Sequence, residues 1–98
     1  MEPNPRVIET LNDLLKSELT AINQYMVHAE MAEDWGYETY GKTEERTAID
    51  EMKHAEKLIA RILFLGGKPV VSQMDEIRIG KDLPSMLAND RVLEQAGI

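Results

Sequence analysis

Two long stretches of this chain, Arg6–Trp35 and Thr43–Leu65, contain neither proline nor glycine. The residues that bound them are helix punctuation. Asn4-Pro5 combines a capping side chain with a proline in the first turn. Gly36 closes the first stretch, and Gly66-Gly67-Lys68-Pro69 closes the second. The spacing predicts one helix over about 5–35 and another over about 40–65, with Tyr37–Lys42, which holds Gly41, as a turn or frayed start. Two long helices joined by so short a turn lie antiparallel. Residues 66–81 carry no helical pattern and read as an extended crossing loop. Asp82-Leu83-Pro84 opens a third, short helix over about 83–96. The predicted fold is all-α: an antiparallel hairpin plus a short helix. This is part of a four-helix bundle, and its exposed apolar face calls for a second hairpin or further chain.

Composition narrows the function. A net charge of −7 argues against nucleic acid and against an anionic membrane surface, both of which select basic patches. The absence of cysteine rules out thiolate metal sites and cysteine nucleophiles, so any metal chemistry uses carboxylate, imidazole or thioether. The start, Met1-Glu2-Pro3-Asn4-Pro5-Arg6, lacks the apolar run of a signal peptide, and no apolar run reaches membrane-spanning length. The default expectation is a cytoplasmic protein.

The inward faces carry the chemistry. Ile8, Leu11, Leu15, Glu18, Ile22, Tyr25, Ala29 and Ala32 recur at spacings of three and four, so Glu18 lies in the middle of an apolar stripe. In the second helix Glu51 falls between Leu58 and Ile62 on the apolar arc, and His54, three residues on, faces the same way. Lys16, Arg46, Lys53 and Lys57 all point outward, which leaves two inward carboxylates without a basic partner. A single inward Glu is more often part of an ion pair, and Glu-x-x-His alone is common. Together, two inward carboxylates and an imidazole on adjacent helices call for a cation. Oxygen and imidazole donors from facing helices suit iron or manganese.

The apolar arc of the second helix spans roughly 200°, wider than the ~100° that one core face needs. Met52, Ile49, Ile59 and Leu63 lie on the excess, so a second buried surface is expected there. Periodicity by itself reads Met52 as gap-filling core.

The segments Leu14-Leu15-Lys16-Ser17-Glu18-Leu19-Thr20-Ala21-Ile22-Asn23-Gln24-Tyr25, Ile49-Asp50-Glu51-Met52-Lys53-His54-Ala55-Glu56 and Ile62-Leu63-Phe64-Leu65-Gly66-Gly67-Lys68-Pro69, with the Ile79-Gly80 loop, closely resemble the N-terminal part of the bacterioferritins, the haem-containing ferritins of bacteria. The resemblance runs essentially from end to end. It implies a ferritin-like fold, homo-oligomeric shells, and oxidation of Fe(II) by O₂ or peroxide at a di-iron ferroxidase centre, with storage of the ferric mineral. Carried over by position, Glu18 is a terminal iron ligand, Glu51 a bridging carboxylate, His54 an iron ligand and Glu94 a further carboxylate ligand. Tyr25 is the tyrosine beside the site. Met52 is the ligand of a b-type haem shared with its twin across a two-fold interface, in place of the gap-filling role that periodicity assigns it.

The chain also departs from that family. It has no second Glu-x-x-His, and Arg46 stands near where some relatives place an inner-surface histidine. Two hairpins packed face to face would supply Glu18, Glu51 and His54 twice and rebuild a symmetric site. The competing expectations are a haem-binding assembly module without ferroxidase activity, and a truncated subunit inactive by itself.

Overall fold

The computed structural model describes residues 4–95. Residues 1–3 and 96–98, which include the start of the segment read above for a leader and the predicted last residue of the third helix, lie outside it. Three helices form: α1 (Pro5–Asp34), α2 (Glu38–Phe64) and α3 (Leu83–Gln95), with no strand among the described residues. The fold is the expected all-α hairpin with a short third helix, 52 Å long and 19 Å across. No helix is long and apolar enough to cross a membrane among the described residues.

Each helix end has a local cause. The Asn4 side chain accepts from the Arg6 and Val7 N–H groups at 3.1 and 3.3 Å, and Pro5 takes the first helical position. Gly36 (φ +88°) and Gly66 (φ +79°) adopt the left-handed conformation that ends α1 and α2. Beyond them the Tyr37 N–H returns to the Ala32 carbonyl at 2.8 Å, and the Gly67 N–H to that of Ile62 at 2.9 Å. At the start of α3 Asp82 and Ser85 cap each other: the Ser85 N–H donates to Asp82 Oδ1 at 2.9 Å, and the Asp82 N–H to Ser85 Oγ at 3.1 Å.

One boundary differs from expectation. α2 begins at Glu38, so Gly41 is helical and buried, not part of a turn. A Cβ at Gly41 would lie 2.7 Å from Glu33 Cγ and 3.1 Å from the Ala29 carbonyl oxygen. The glycine marks a point of close approach between α1 and α2, and close packing outweighs its low helix propensity.

The hairpin core divides in two. Leu15, Ala55 and Ile62 are buried, with Ile8, Leu11, Leu19, Ile22, Leu58 and Ile59 packed around them. Further along, Ala21, Tyr25 and Ala48 form a second cluster that Leu93 of α3 covers.

The crossing loop is held by polar side chains of α1 spaced four apart. Asn12 Oδ1 accepts from the Val70 N–H at 2.8 Å, and Asn12 Nδ2 donates to the Lys68 carbonyl at 3.1 Å. Lys16 pairs with Asp75 at 3.5 Å, and Thr20 Oγ1 accepts from the Asp75 N–H at 2.8 Å. Gln24 Oε1 accepts from the Arg78 N–H and His28 Nε2 from the Gly80 N–H, both at 3.0 Å. From Asn12 to His28 the helix rises about 24 Å. From Val70 to Gly80 an extended chain reaches at most about 33–36 Å. The loop therefore has the reach to follow α1 over this span with some slack, and the helix side chains satisfy the Lys68 carbonyl and the Val70, Asp75, Arg78 and Gly80 N–H groups.

Candidate metal centre

Midway along the hairpin, Glu18 of α1 and Glu51 of α2 turn their carboxylates toward each other, with His54 beside them. The two carboxylate side chains are 16% and 13% exposed, and the imidazole is 54% exposed. His54 Nδ1 lies 3.7 Å from Glu18 Oε2 and 3.5 Å from Glu51 Oε2. Both separations exceed a good hydrogen bond. Each of these Oε2 atoms is buried and has no hydrogen-bond partner among the described residues. Two buried, unpaired carboxylate oxygens cost several kcal/mol between them unless a proton or cation joins them.

The donor atoms of Glu18, Glu51 and His54 all lie within 4.8 Å of one another. A metal bonded to oxygen and imidazole at about 2.0–2.2 Å from each donor fits that spacing. The residues present fit a hard or borderline divalent ion with two carboxylates and one imidazole, and the outward side of His54 leaves a route from solvent.

The other sequence-predicted residues are placed less directly. Tyr25 is buried against Ala21 and Ala48, two turns along α1 from Glu18. Its burial, then the charges of Asp90, Glu94 and Glu44, raise the phenol well above the usual tyrosine range. Tyr25 is therefore a neutral hydroxyl at any ordinary pH. Glu94 is exposed on α3 and does not belong to the three-residue donor group. Met52 is 46% exposed on the other side of α2. It lines a shallow groove with Ile22, Met26, Ala29, Ala48 and Ile49. Arg46 is exposed and lies outside both.

A second titratable cluster escaped the sequence reading. His28, Glu44 and Asp90, one from each helix, are all buried, and their donor atoms also lie within 4.8 Å of one another. His28 Nδ1 is 2.9 Å from Asp90 Oδ1, Gln24 Nε2 donates to the same oxygen at 3.0 Å, and the Tyr40 hydroxyl donates to Asp90 Oδ2 at 3.0 Å. Two regularities in the sequence point to it. Thr20, Gln24, His28 and Ala32 repeat every four residues, and Glu44 sits seven before Glu51, on the same face.

The all-α hairpin fold is that of the ferritin-like class. The ferritin-like domain family matches residues 8–98, and the chain belongs to that family. It is similar to a bacterioferritin of Rhodobacter capsulatus, 51% identical over 83% of this chain and 50% of that protein. It is also similar to a bacterioferritin of Brucella melitensis biotype 1, 44% identical over 92% of this chain and 56% of that protein. A bacterial ferritin of Paramagnetospirillum magnetotacticum is 45% identical over the whole chain and 60% of its own length. The chain thus spans between half and three-fifths of the length of these relatives.

Proposed function

We propose that this chain serves iron oxidation and storage, with Glu18, Glu51 and His54 forming one half of a di-iron carboxylate site. The observation that carries this reading is the pair of buried Oε2 atoms on Glu18 and Glu51, without a proton donor, facing one imidazole. Fe(II) is the substrate, and O₂ or peroxide the oxidant. Carboxylates stabilise Fe(III) over Fe(II), so a bound pair of iron ions gives up electrons readily. Glu51 and Glu18 neutralise the incoming charge, and His54 supplies the nitrogen ligand on the solvent side. Tyr25 stands near as a neutral phenol able to give one electron and one proton. Glu94 on α3 is assigned as a further carboxylate ligand by its position in the family. Three donors leave coordination positions open, and a second hairpin related by a two-fold axis supplies an equivalent set.

Anaerobic titration with Fe(II), followed by exposure to O₂ and rapid optical monitoring, tests this. Saturation near one iron per chain with fast oxidation supports a site shared by paired hairpins. Oxidation no faster than in buffer counts against it.

A second reading rests on a different observation, the exposed thioether of Met52 in an apolar groove that also holds Met26 and Ile49. A b-type haem ligated by Met52 and its twin across a two-fold interface would cover that groove. A chain that binds haem there and fails to oxidise iron is an assembly module and not a ferroxidase.

A further inference from the structure

The buried cluster of His28, Glu44 and Asp90 shares no residue with the candidate metal centre of Glu18, Glu51 and His54, and its hydrogen bonds fix where its protons are. Gln24 Oε1 accepts from the Arg78 N–H, so the amide is oriented with Nε2 toward Asp90. His28 Nε2 accepts from the Gly80 N–H, so the ring proton is on Nδ1 and is donated to Asp90. The imidazole is therefore neutral and has no lone pair left for a metal. Tyr40 adds a third donor to Asp90. Asp90 thus receives three hydrogen bonds, as an ionised carboxylate does, yet no cationic side chain among the described residues pairs with it.

Glu44 of α2 faces this carboxylate: a carboxylate oxygen of each and a ring nitrogen of His28 lie within 4.8 Å of one another. Glu44 is 7% exposed, and its Oε2 has no donor among the described residues. Two buried carboxylates this close, with no cationic side chain beside them among the described residues, favour holding one proton between them. Because Asp90 already accepts three hydrogen bonds of the about four its lone pairs allow, it is the charged member, and the proton belongs to Glu44 and points to the acceptor site that remains.

We propose that Glu44 and Asp90 share one proton, Glu44 as neutral donor and Asp90 as charged acceptor, and that this pair clasps α3 and the crossing loop onto the hairpin. Asp90 reaches α1 through Gln24 and His28 and α2 through Tyr40 and Glu44, while the same Gln24 and His28 hold the loop at Arg78 and Gly80. Glu94 follows Asp90 by one helical turn, so the clasp also positions Glu94. That last consequence rests on the iron reading above; the shared proton does not.

The titration behaviour agrees with the geometry. Burial, then the contact with Asp90 and the charges of Asp90 and Glu94, push Glu44 up to about 9. Burial alone would raise Asp90, but hydrogen bonds from His28, Glu44 and Gln24 outweigh it and hold Asp90 below its ordinary value. The titratable groups around Glu44 are Tyr25 and His28 of α1, Tyr40 of α2, and Asp90 and Glu94 of α3. The loop contributes only the Gly80 and Arg78 backbone N–H groups to the network.

Infrared spectroscopy of the metal-free full chain at about pH 7 tests the proton directly. The expected result is a protonated-carboxyl C=O band that disappears in Glu44→Gln and persists in Glu56→Gln, an exposed control. Hydrogen exchange tests the clasp. Protection of α3 and loop amides in the wild type should fall by at least about tenfold between about pH 5 and pH 9, where the opened chain releases the Glu44 proton and the closed one keeps it, the equivalent of at least one pKa unit of interaction. Glu44→Gln, whose amide donates to Asp90 without titrating, should hold its protection through the same range. No carboxyl band, a band unchanged in Glu44→Gln, or a band that appears only after chelation of a cation would overturn the shared proton. Equal exchange profiles for the two proteins would overturn the clasp. A carboxyl band in a chain that binds no Fe(II) would sink the iron reading and leave the clasp standing.

Discussion

His28 and Asp90, 62 residues apart in sequence, meet at 2.9 Å in a contact closed to solvent. It joins the last third of α1 to the middle of α3, and Gln24 and Tyr40 converge on the same carboxylate. Replacing Asp90 with alanine leaves the buried Gln24 and His28 donors, the half-buried Tyr40 hydroxyl and the Glu44 carboxyl without their acceptor. Breaking a buried polar set from one side costs about 3–5 kcal/mol. Asp90→Ala should lower the unfolding free energy from urea titration by that amount, with the loss concentrated in α3 and the loop. A change under about 1 kcal/mol would mean that water replaces the carboxylate at little cost.

The two carboxyls of this pair shift in opposite directions, so their effects on stability oppose each other with pH. Glu44 is raised to about 9 in the folded chain. Its contribution is complete below its unfolded value of about 4.5 and is lost as pH rises through the folded value of about 9. Asp90 is lowered, so its contribution is complete above its unfolded value of about 3.8 and is lost as pH falls through its folded value. Together they favour a stability maximum near pH 4–5 and a decline from there toward pH 9. Denaturant midpoints measured across this range should show that decline in the wild type and a flatter profile in Glu44→Gln.

The candidate metal centre predicts a trade. Glu18 and Glu51 each bury an oxygen without a partner. Relieving one of them should stabilise the metal-free chain, by about 1–2 kcal/mol. Glu18→Gln should therefore raise the urea midpoint of the metal-free protein while weakening Fe(II) binding at least about tenfold, a loss of about 1.4 kcal/mol or more. A carboxylate whose role is purely structural would give the reverse: lower stability and unchanged binding.

Gly80 is a more local test. A Cβ there would lie 2.5 Å from the Met86 backbone nitrogen and 2.8 Å from its Cα. These atoms belong to the first turn of α3 and cannot rotate away. Gly80→Ala should therefore push the loop off α3, disturb the Gly80 N–H bond to His28, and cost about 2–3 kcal/mol. Thermal unfolding checks the sign. An unchanged midpoint would show that the loop shifts freely.

Much of this architecture is visible in the sequence because α1 and α2 are long and their ends are marked by Asn4-Pro5, Gly36 and Gly66. Glu18, Glu51 and His54 are legible for the same reason: each lies on an apolar stripe whose period locates it. Gly41 misleads, since propensity places a turn where close helix packing requires the absence of a side chain. The His28–Glu44–Asp90 cluster is harder to see. Its members come from three elements, and the register between α1 and α3 depends on a loop without periodicity. The clue lies in Asn12, Lys16, Thr20, Gln24 and His28, a polar stripe at spacing four beside the apolar one. Such a stripe reads as solvated surface until an extended strand of chain is laid along it.

The last prediction separates the two proposed functions. Met52 and Glu51 are adjacent in sequence and therefore about 100° apart around α2, so they serve different faces. Met52→Leu keeps volume and apolarity but removes the thioether. It should abolish the absorption spectrum of methionine-ligated haem after reconstitution, while Fe(II) oxidation proceeds at the wild-type rate. Glu51→Gln should do the opposite. If haem binds Met52→Leu with an unchanged spectrum, the ligand moves to Met26, the other thioether on the same groove, and Met26→Leu should then remove it. If neither variant alters haem binding, the groove is an apolar interface between chains, and oligomeric state should fall when Ile49 is replaced by a charged residue.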